Sequence, residues 1–163
     1  MPFGYHGCVL RIDATSGLAE RVPLSDALLR GYVGGSGLGT RLLLDAGAAE
    51  ADPLSPEASL VFAFSPLVGS PLTTSAKFAV VGKSPLTGRI NDSLASSGFA
   101  VAGKGVGCDA FLITGRAPEL SVIVVDAESV EGQALPIVRF ESAEAFRGAS
   151  CPEIGRASCR ERV

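Results

Sequence analysis

Several features that mark large classes of protein are missing from this chain of 163 residues. Its formal net charge is −3, and no basic stretch alternates with aromatic residues, which argues against nucleic acid as a partner. No segment approaches the ~20 consecutive apolar residues that a membrane helix needs. The N-terminal residues lack the basic start and apolar stretch of a signal peptide. We therefore expect a cytoplasmic protein that does not associate with membranes.

Patterns for metal binding and nucleophilic catalysis are also scarce. The four cysteines, Cys8, Cys108, Cys151 and Cys159, include no C-x-x-C pair. We interpret them as small buried residues, with metal ligation or disulfide formation as the less favoured alternative. His6 is the only histidine, and no serine lies in a G-x-S-x-G motif. We therefore assign no catalytic residue and no metal ligand.

The composition is typical of a turn-rich globular domain. Apolar residues make up 47% of the chain, and 20 glycines and 10 prolines favour short elements joined by many turns. The last residues, 153–163, depart abruptly from this composition and resemble translated sequencing-adapter read-through. We expect a domain over residues 1–152, incomplete at its C-terminal end, followed by a non-native tail. A genuine basic tail is the alternative.

Apolar patterning predicts a mixture of strands and short helices. Strands are predicted over residues 8–13, 18–24, 60–64, 77–81, 111–114 and 122–125. Helices are predicted over residues 26–33, 40–46 and 92–104, with a possible start at 142. Ser25 can cap the first helix, and Asp92 or Ser93 the third. Because the regular β-α-β spacing of a doubly wound sheet is absent, the pattern indicates an α+β fold with mixed sheets.

Glycines cluster at residues 34–39 between two predicted helices. The spacing is not G-x-G-x-x-G, because Thr40 stands where the last glycine is required, and no predicted strand precedes the cluster. Our preferred interpretation is that the glycines permit a kink or a close backbone approach. The alternative is a loop whose backbone N–H groups face an anion such as a phosphate.

A Ser-Pro-Leu-x-Gly pattern occurs twice, at residues 65–69 and 84–88, each time after an apolar strand. The repetition suggests a duplicated strand-turn unit. Lys77 and Lys83 flank the second strand. Lys77 could meet a phosphate or carbonyl oxygen, and a solvated lysine at a strand end is the alternative.

Taken in order, these segments resemble the N-terminal domain of the tungsten-pterin aldehyde ferredoxin oxidoreductases. The longest similar segment runs from Lys77 to Gly88 and reads K-F-A-V-V-G-K-S-P-L-T-G. The resemblance is collinear from about residue 4 to 126, and its other similar segments are residues 7–17, 33–39, 52–57, 60–63, 66–69 and 107–117.

The resemblance implies a domain of two intertwined α+β halves, related by a pseudo-dyad, with mixed β-sheets and short helices. It implies that this domain carries a tungsten (or molybdenum) bis-pyranopterin. The full-length enzyme would oxidise aldehydes to carboxylic acids and pass electrons through a [4Fe-4S] cluster to ferredoxin. The cluster ligands would lie outside this chain, so the fragment itself would be inactive. A homo-oligomer is possible.

The resemblance also implies five cofactor-binding residues: Lys77, Ser93, Leu94, Ala95 and Ser96. Lys77 stands where the family usually has a pterin-contacting arginine, Leu94 where it has asparagine and Ser96 where it has glycine. Leu94 removes a side-chain hydrogen bond, which puts direct pterin contact there in question. The two proline turns are expected to form one concave floor beneath the pterin.

Two other functions stay open on the sequence. One is a non-catalytic domain that binds a small ligand or serves as a scaffold and has lost pterin binding, which the leucine at 94 favours. The other is a nucleotide-binding module, for which the chain offers no motif.

Overall fold

A mixed six-stranded sheet forms the centre of the molecule in the computed structural model, which describes residues 4–130 and 132–154. Within these residues the sheet order is β2-β1-β6-β3-β4-β5, and β7 and β8 form a separate two-stranded ribbon. Among the described strands, only β1 and β6 are parallel neighbours. The predicted α+β class with mixed sheets and short helices is confirmed. In chain order the elements are β1 (Cys8–Asp13), β2 (Leu18–Pro23), α1 (Asp26–Tyr32), α2 (Gly35–Asp45), β3 (Leu60–Phe64), β4 (Lys77–Lys83), β5 (Ile90–Ser96), α3 (Gly98–Gly105), β6 (Ala110–Thr114), β7 (Ser121–Val130), β8 (Gln133–Ser142) and the 3₁₀ turn Glu144–Phe146.

Apolar layers cover both faces of the large sheet. On one face, α1 and α2 bury Leu29, Leu38 and Leu43 against sheet residues that include Val61 and Val81. On the opposite face, α3 and the ribbon cover a second cluster that contains Leu10, Ile12, Phe64, Phe78 and Phe111. The alternation of apolar residues along β1 explains this arrangement, because successive side chains of a strand point to opposite faces.

The glycine cluster belongs to helix α2 and does not interrupt it, so the predicted helix start at residue 40 is wrong. Gly34 is the N-cap, with a φ of +62°, and helix α2 begins at Gly35. A Cβ atom on Gly39 would lie 2.7 Å from Cγ2 of Val81. The glycines therefore let the helix backbone approach the sheet closely, as our preferred interpretation stated.

The helix predicted over residues 92–104 is wrong in its first half. Residues Ile90–Ser96 form strand β5 at the edge of the sheet, and α3 begins at Gly98. The cap is Ser97, whose hydroxyl accepts a hydrogen bond of 3.2 Å from the Phe99 N–H. All seven residues of β5 are exposed. Its sequence therefore carries no apolar alternation that would distinguish a strand from a capped helix.

The two proline turns lie at opposite ends of the sheet. Strands β3 and β4 are antiparallel, with Phe64 opposite Phe78 and Leu60 opposite Gly82. The turn after β3 therefore lies beside the start of β4, whereas the turn after β4 lies beside the start of β3. The expectation that the two turns form one floor is wrong, because antiparallel pairing separates them by the length of the strands.

Two sequence predictions concern the C-terminal part of the chain. The second strand of the ribbon, β8, was not predicted, and the helix expected from residue 142 is a single 3₁₀ turn. The predicted tail lies outside the described residues from residue 155 onward, and so does Cys159. No helix in the described part of the chain is long and apolar enough to cross a bilayer.

Candidate functional site

The predicted cofactor-binding residues lie together at the outer edge of the large sheet. Lys77 begins β4, and Ser93, Leu94, Ala95 and Ser96 form the second half of β5. Lys77 and Ser96 are directly opposite each other in the antiparallel pair. All five residues are exposed. The structure therefore brings together two segments that are about twenty residues apart in sequence.

Strand register divides the five residues between two faces of the sheet. Leu94 pairs with Ala79, and Ser96 pairs with Lys77. Since Ala79 packs against the α2 side of the core, Lys77, Leu94 and Ser96 belong to that face.

Ser93 and Ala95 belong to the opposite face. Ser93 pairs with Val80 and Ala95 with Phe78, and both partners pack into the α3 side of the core. A flat ligand on one face could therefore contact at most three of the five predicted side chains.

Helix α2 begins at the same end of the sheet as Lys77. Gly34 is so close to Pro66 that an added Cβ would lie 2.6 Å from the Pro66 Cδ atom. The N–H of Ser65 donates to the carbonyl of Lys77 at 3.1 Å. We call Lys77, Leu94, Ser96 and the first turn of α2 the Lys77 surface. The Lys77 ammonium and the positive end of a helix dipole favour an anion on this surface, and the Asp92 carboxylate at the first turn of α2 offsets part of that positive charge.

The polar groups of the Lys77 surface differ in whether they already form hydrogen bonds or ion pairs within the protein. The Ser96 hydroxyl donates to the carbonyl of Ala76 at 3.0 Å, which leaves its oxygen as an acceptor. The hydroxyl of Ser36, in the first turn of α2, donates to the Asp92 carboxylate at 2.5 Å. Among the described residues, no carboxylate forms an ion pair with Lys77.

Lys83, at the other end of β4, has a structural role. Its ammonium group donates to the carbonyls of Ala49 and Ala51 at 2.9 and 2.8 Å. These two bonds attach the loop that follows α2 to the sheet. Of the two lysines that flank the strand, Lys77 is thus the one whose charge is available to a ligand.

Sequence reasoning missed a second cluster of reactive groups, beneath strands β1 and β6. Cys8 and Cys108 are both buried, and their sulfur atoms are 3.6 Å apart. The Arg21 guanidinium, from β2, lies 3.3 Å from the Cys8 sulfur and donates to the Gly107 carbonyl at 3.2 Å. The cysteines are 100 positions apart. No sequence spacing could therefore indicate the pair before the parallel pairing of β1 with β6 was known.

The surroundings of this pair change the acidity of its groups. The hydrogen bond between the two cysteine sulfurs and the neighbouring Arg21 lower the pKa of Cys8 to about 6, against the opposing effect of burial. The same hydrogen bond and burial raise the pKa of Cys108. Burial and the nearby Lys104 lower the pKa of His6. Within the described ranges, no three His, Cys, Asp or Glu side chains converge to hold a metal ion.

A family model matches almost the whole chain. The model for "Aldehyde ferredoxin oxidoreductase, N-terminal domain" matches residues 9–162. Two relatives show how widely this similarity extends. A tungsten-containing aldehyde ferredoxin oxidoreductase of Pyrococcus abyssi is 36% identical over 131 residues. An aliphatic sulfonate oxidoreductase, WOR-like subunit, of Pyrococcus furiosus is 31% identical over 132 residues.

A solved structure is also similar over nearly the full chain. It is the active-site complex BamBC of benzoyl coenzyme A reductase in complex with 1,5-dienoyl-CoA. The TM-score is 0.84 at 28% identity, and the similarity covers 99% of this chain and 23% of the other. The two Pyrococcus relatives are matched over 79% of this chain and 21% of their own length. The chain therefore spans about a fifth of the relatives that it matches.

Proposed function

Because the chain belongs to the aldehyde ferredoxin oxidoreductase family, which its match to the N-terminal domain shows, we propose that residues 1–152 are the cofactor-facing N-terminal part of a longer oxidoreductase. That enzyme oxidises aldehydes to carboxylic acids. The observation that carries the proposal is the Lys77 surface. There, a lysine without an ion pair among the described residues and an exposed edge strand coincide with the segments that the family resemblance assigns to the cofactor.

The Lys77 surface suits the anionic part of a pterin cofactor. The Lys77 ammonium can neutralise a phosphate, and the uncapped N–H groups of the first turn of α2 can donate to its oxygens. Lysine acts as a point charge and does not provide the bidentate geometry of an arginine. We assign charge neutralisation to Lys77 and a hydrogen-bond acceptor to the Ser96 hydroxyl oxygen.

Leu94 takes a different role in this proposal. Its side chain is 71% exposed on the same face as Lys77. It can offer only apolar contact, so it would pack against the flat ring system and exclude water from it. The pterin-bound tungsten or molybdenum would supply the redox chemistry, while the protein supplies position and exclusion of water.

The remaining parts of the enzyme would come from chain beyond this one. We propose that later segments supply the [4Fe-4S] ligands, cover β5 and α3, and complete the aldehyde pocket, with ferredoxin as the electron acceptor. The exposed apolar side chains of β5 and α3 support such a cover, since exposed apolar surface commonly marks an interaction site. These side chains are Leu94, Phe99 and Val101.

The test is the reading frame that continues past Pro152. The longer protein, expressed with tungstate or molybdate, should contain a downstream cysteine-rich motif and close to one tungsten or molybdenum ion per chain by inductively coupled plasma mass spectrometry. It should reduce a viologen dye when an aldehyde is added, and the 163-residue chain should not. A complete reading frame without the motif, together with metal-free protein, would exclude this function.

Leu94 also favours a second candidate, a scaffold domain that has lost the cofactor. The two candidates differ in the tungsten or molybdenum content of the wild-type longer protein. If the cofactor is bound with apolar contact at this position, the wild type already carries metal, and Leu94→Asn changes its content little. If binding has been lost, the wild type carries none.

A further inference from the structure

The strongest feature that the proposed function leaves unused is the buried pair Cys8 and Cys108. Two thiols at 3.6 Å beside a guanidinium group form an arrangement that packing alone does not require. Arg21 reaches the Cys8 sulfur from the neighbouring strand, where it pairs with Leu10 on the face that also carries Cys8. A cationic neighbour stabilises a thiolate, which is the reactive form of cysteine.

A surface cavity lies next to this pair, on the other side of the Arg21 side chain. Arg21 and the Gly107 backbone line a surface cavity of about 440 Å³ together with His6 and Ala134. Arg21 and Gly107 also contact the Cys8 sulfur. The exposed fraction of Cys8 is 6% and that of Cys108 is 0%. A small oxidant that enters the cavity would therefore meet Cys8 first, once the Arg21 side chain moves.

We propose that Cys8 and Cys108 are an oxidation site, at which hydrogen peroxide joins the two thiols in a disulfide. The Cys8 thiolate attacks one peroxide oxygen, the O–O bond breaks, and Cys8 becomes a sulfenic acid while the released hydroxide takes up a proton. The Cys108 sulfur then attacks the Cys8 sulfur. The S–O bond breaks, the S–S bond forms, and a second water leaves with the Cys108 proton. Two thiols are oxidised, and one peroxide is reduced to two waters.

The geometry sets what this oxidation requires and what it changes. The sulfur atoms must approach from 3.6 Å to about 2.05 Å. Because β1 and β6 are parallel neighbours in the middle of the sheet, the bond would connect β1 with the segment just before β6 and so close a long loop. Closing a long loop restricts the unfolded chain, so the oxidised protein should unfold at a higher temperature than the reduced one.

Peptide mapping of the 163-residue chain tests the proposal. The background is Cys151→Ser with Cys159→Ser, which removes the other two cysteines of the sequence. After peroxide and digestion with trypsin under non-reducing conditions, residues 1–11 should be joined to residues 105–116, with the mass of two hydrogen atoms lost. Cys8→Ser and Cys108→Ala are the matched controls, neither of which can form the link. Circular dichroism before treatment identifies variants that do not fold.

Substitutions of Arg21 distinguish an oxidation site at Cys8 from a purely structural role of the cysteine pair. In Arg21→Met, oxidation of Cys8 at pH 7 should slow by about twofold or more, because a rise in the pKa of Cys8 from about 6 to 7 or above lowers the thiolate fraction to half or less. Arg21→Lys should restore much of the rate. The pH midpoint of Cys8 alkylation depends on Cys108, Arg21 and Asp109. It should move upward in Arg21→Met but not in Arg21→Lys. The proposal is overturned if both thiols stay alkylatable after a treatment that fully oxidises the exposed Cys151 of the wild type.

Discussion

Lys104 and Asp109 form a buried ion pair that attaches the N-terminal segment to the sheet. Their side chains are 8% and 0% exposed. The Asp109 carboxylate also accepts hydrogen bonds from the backbone N–H groups of His6 and Gly7, at 2.9 and 2.6 Å. The Lys104 ammonium lies over the Tyr5 ring, 5.4 Å from its centroid. One carboxylate thus connects the start of the chain with the end of α3.

Removing one charge of this pair should be costly. Asp109→Asn leaves the Lys104 ammonium buried without its counter-ion, and we expect the free energy of unfolding to fall by about 3–5 kcal/mol. Urea denaturation measures the change. The control is Glu20→Gln at the exposed Arg11–Glu20 pair, which should cost less than about 1 kcal/mol. Equal losses of unfolding free energy in the two variants would show that the buried ion pair stabilises the fold no more than the exposed one.

The close packing of α3 on the sheet gives a second prediction. A Cβ atom on Gly103 would lie 2.7 Å from Cε1 of Phe64, whereas one on Gly105 would have no neighbour within 4 Å. Gly103→Ala should therefore destabilise the protein by about 1–3 kcal/mol through overpacking. Gly105→Ala in the same helix should not lower stability, because alanine favours helix. Thermal unfolding of both variants measures the two effects. A loss of stability in both variants would show that helix geometry, and not overpacking against Phe64, is the cause.

His6 provides a pH-dependent prediction with a clear signal, since it is the only histidine. Its folded-state pKa is lowered, chiefly by burial and then by Lys104. The unfolded chain therefore takes up a proton before the folded one, so stability is present above about pH 6.5 and falls as the pH drops through the folded pKa. The imidazole NMR signal should titrate below pH 6.5 and should move upward in Lys104→Met. A midpoint at or above 6.5 in the wild type would contradict this.

The sequence predicted the strands whose apolar residues alternate or cluster, because burial of those residues determines the local structure. Strands β1 and β3 have the predicted bounds. Strand β5 could not be predicted in this way, since it is polar, exposed on both faces and held by backbone pairing with β4. The start of α2 was missed because glycine favours helix poorly, and packing against Val81 compensates.

The sequence indicated which chain segments form the candidate site but not how their side chains are arranged. The family resemblance indicated Lys77 and residues 93–96, and the fold brings them to one edge. Their division between two faces follows from the register of β5, which the sequence alone could not show while those residues read as a helix. The Cys8–Cys108 pair depends on parallel contact between distant strands, for which no local pattern exists.

The self-association of the isolated chain depends on the exposed apolar residues. Leu86 is 92% exposed in the turn after β4, and we expect the 163-residue chain to form larger species as its concentration rises. Leu86→Ser together with Leu94→Ser should shift it toward the monomer in analytical ultracentrifugation. Leu18→Ser is the control, since Leu18 is also exposed, at 71%, but lies on the distant edge strand β2. If Leu18→Ser reduces association as much as Leu86→Ser together with Leu94→Ser, the association does not depend specifically on Leu86 and Leu94.

The most direct test of the Lys77 surface compares the two lysines of β4 in the longer protein. Tungsten plus molybdenum per folded chain should be near one in the wild type, close to that in Lys77→Arg, and lower in Lys77→Met. Loss of a charged contact worth about 1.5–3 kcal/mol weakens cofactor binding by about tenfold or more. Lys83→Met should lower stability but leave the metal content of the folded protein unchanged. Full metal content in Lys77→Met, or its loss in Lys83→Met alone, would contradict the assignment of the cofactor to this edge of the sheet.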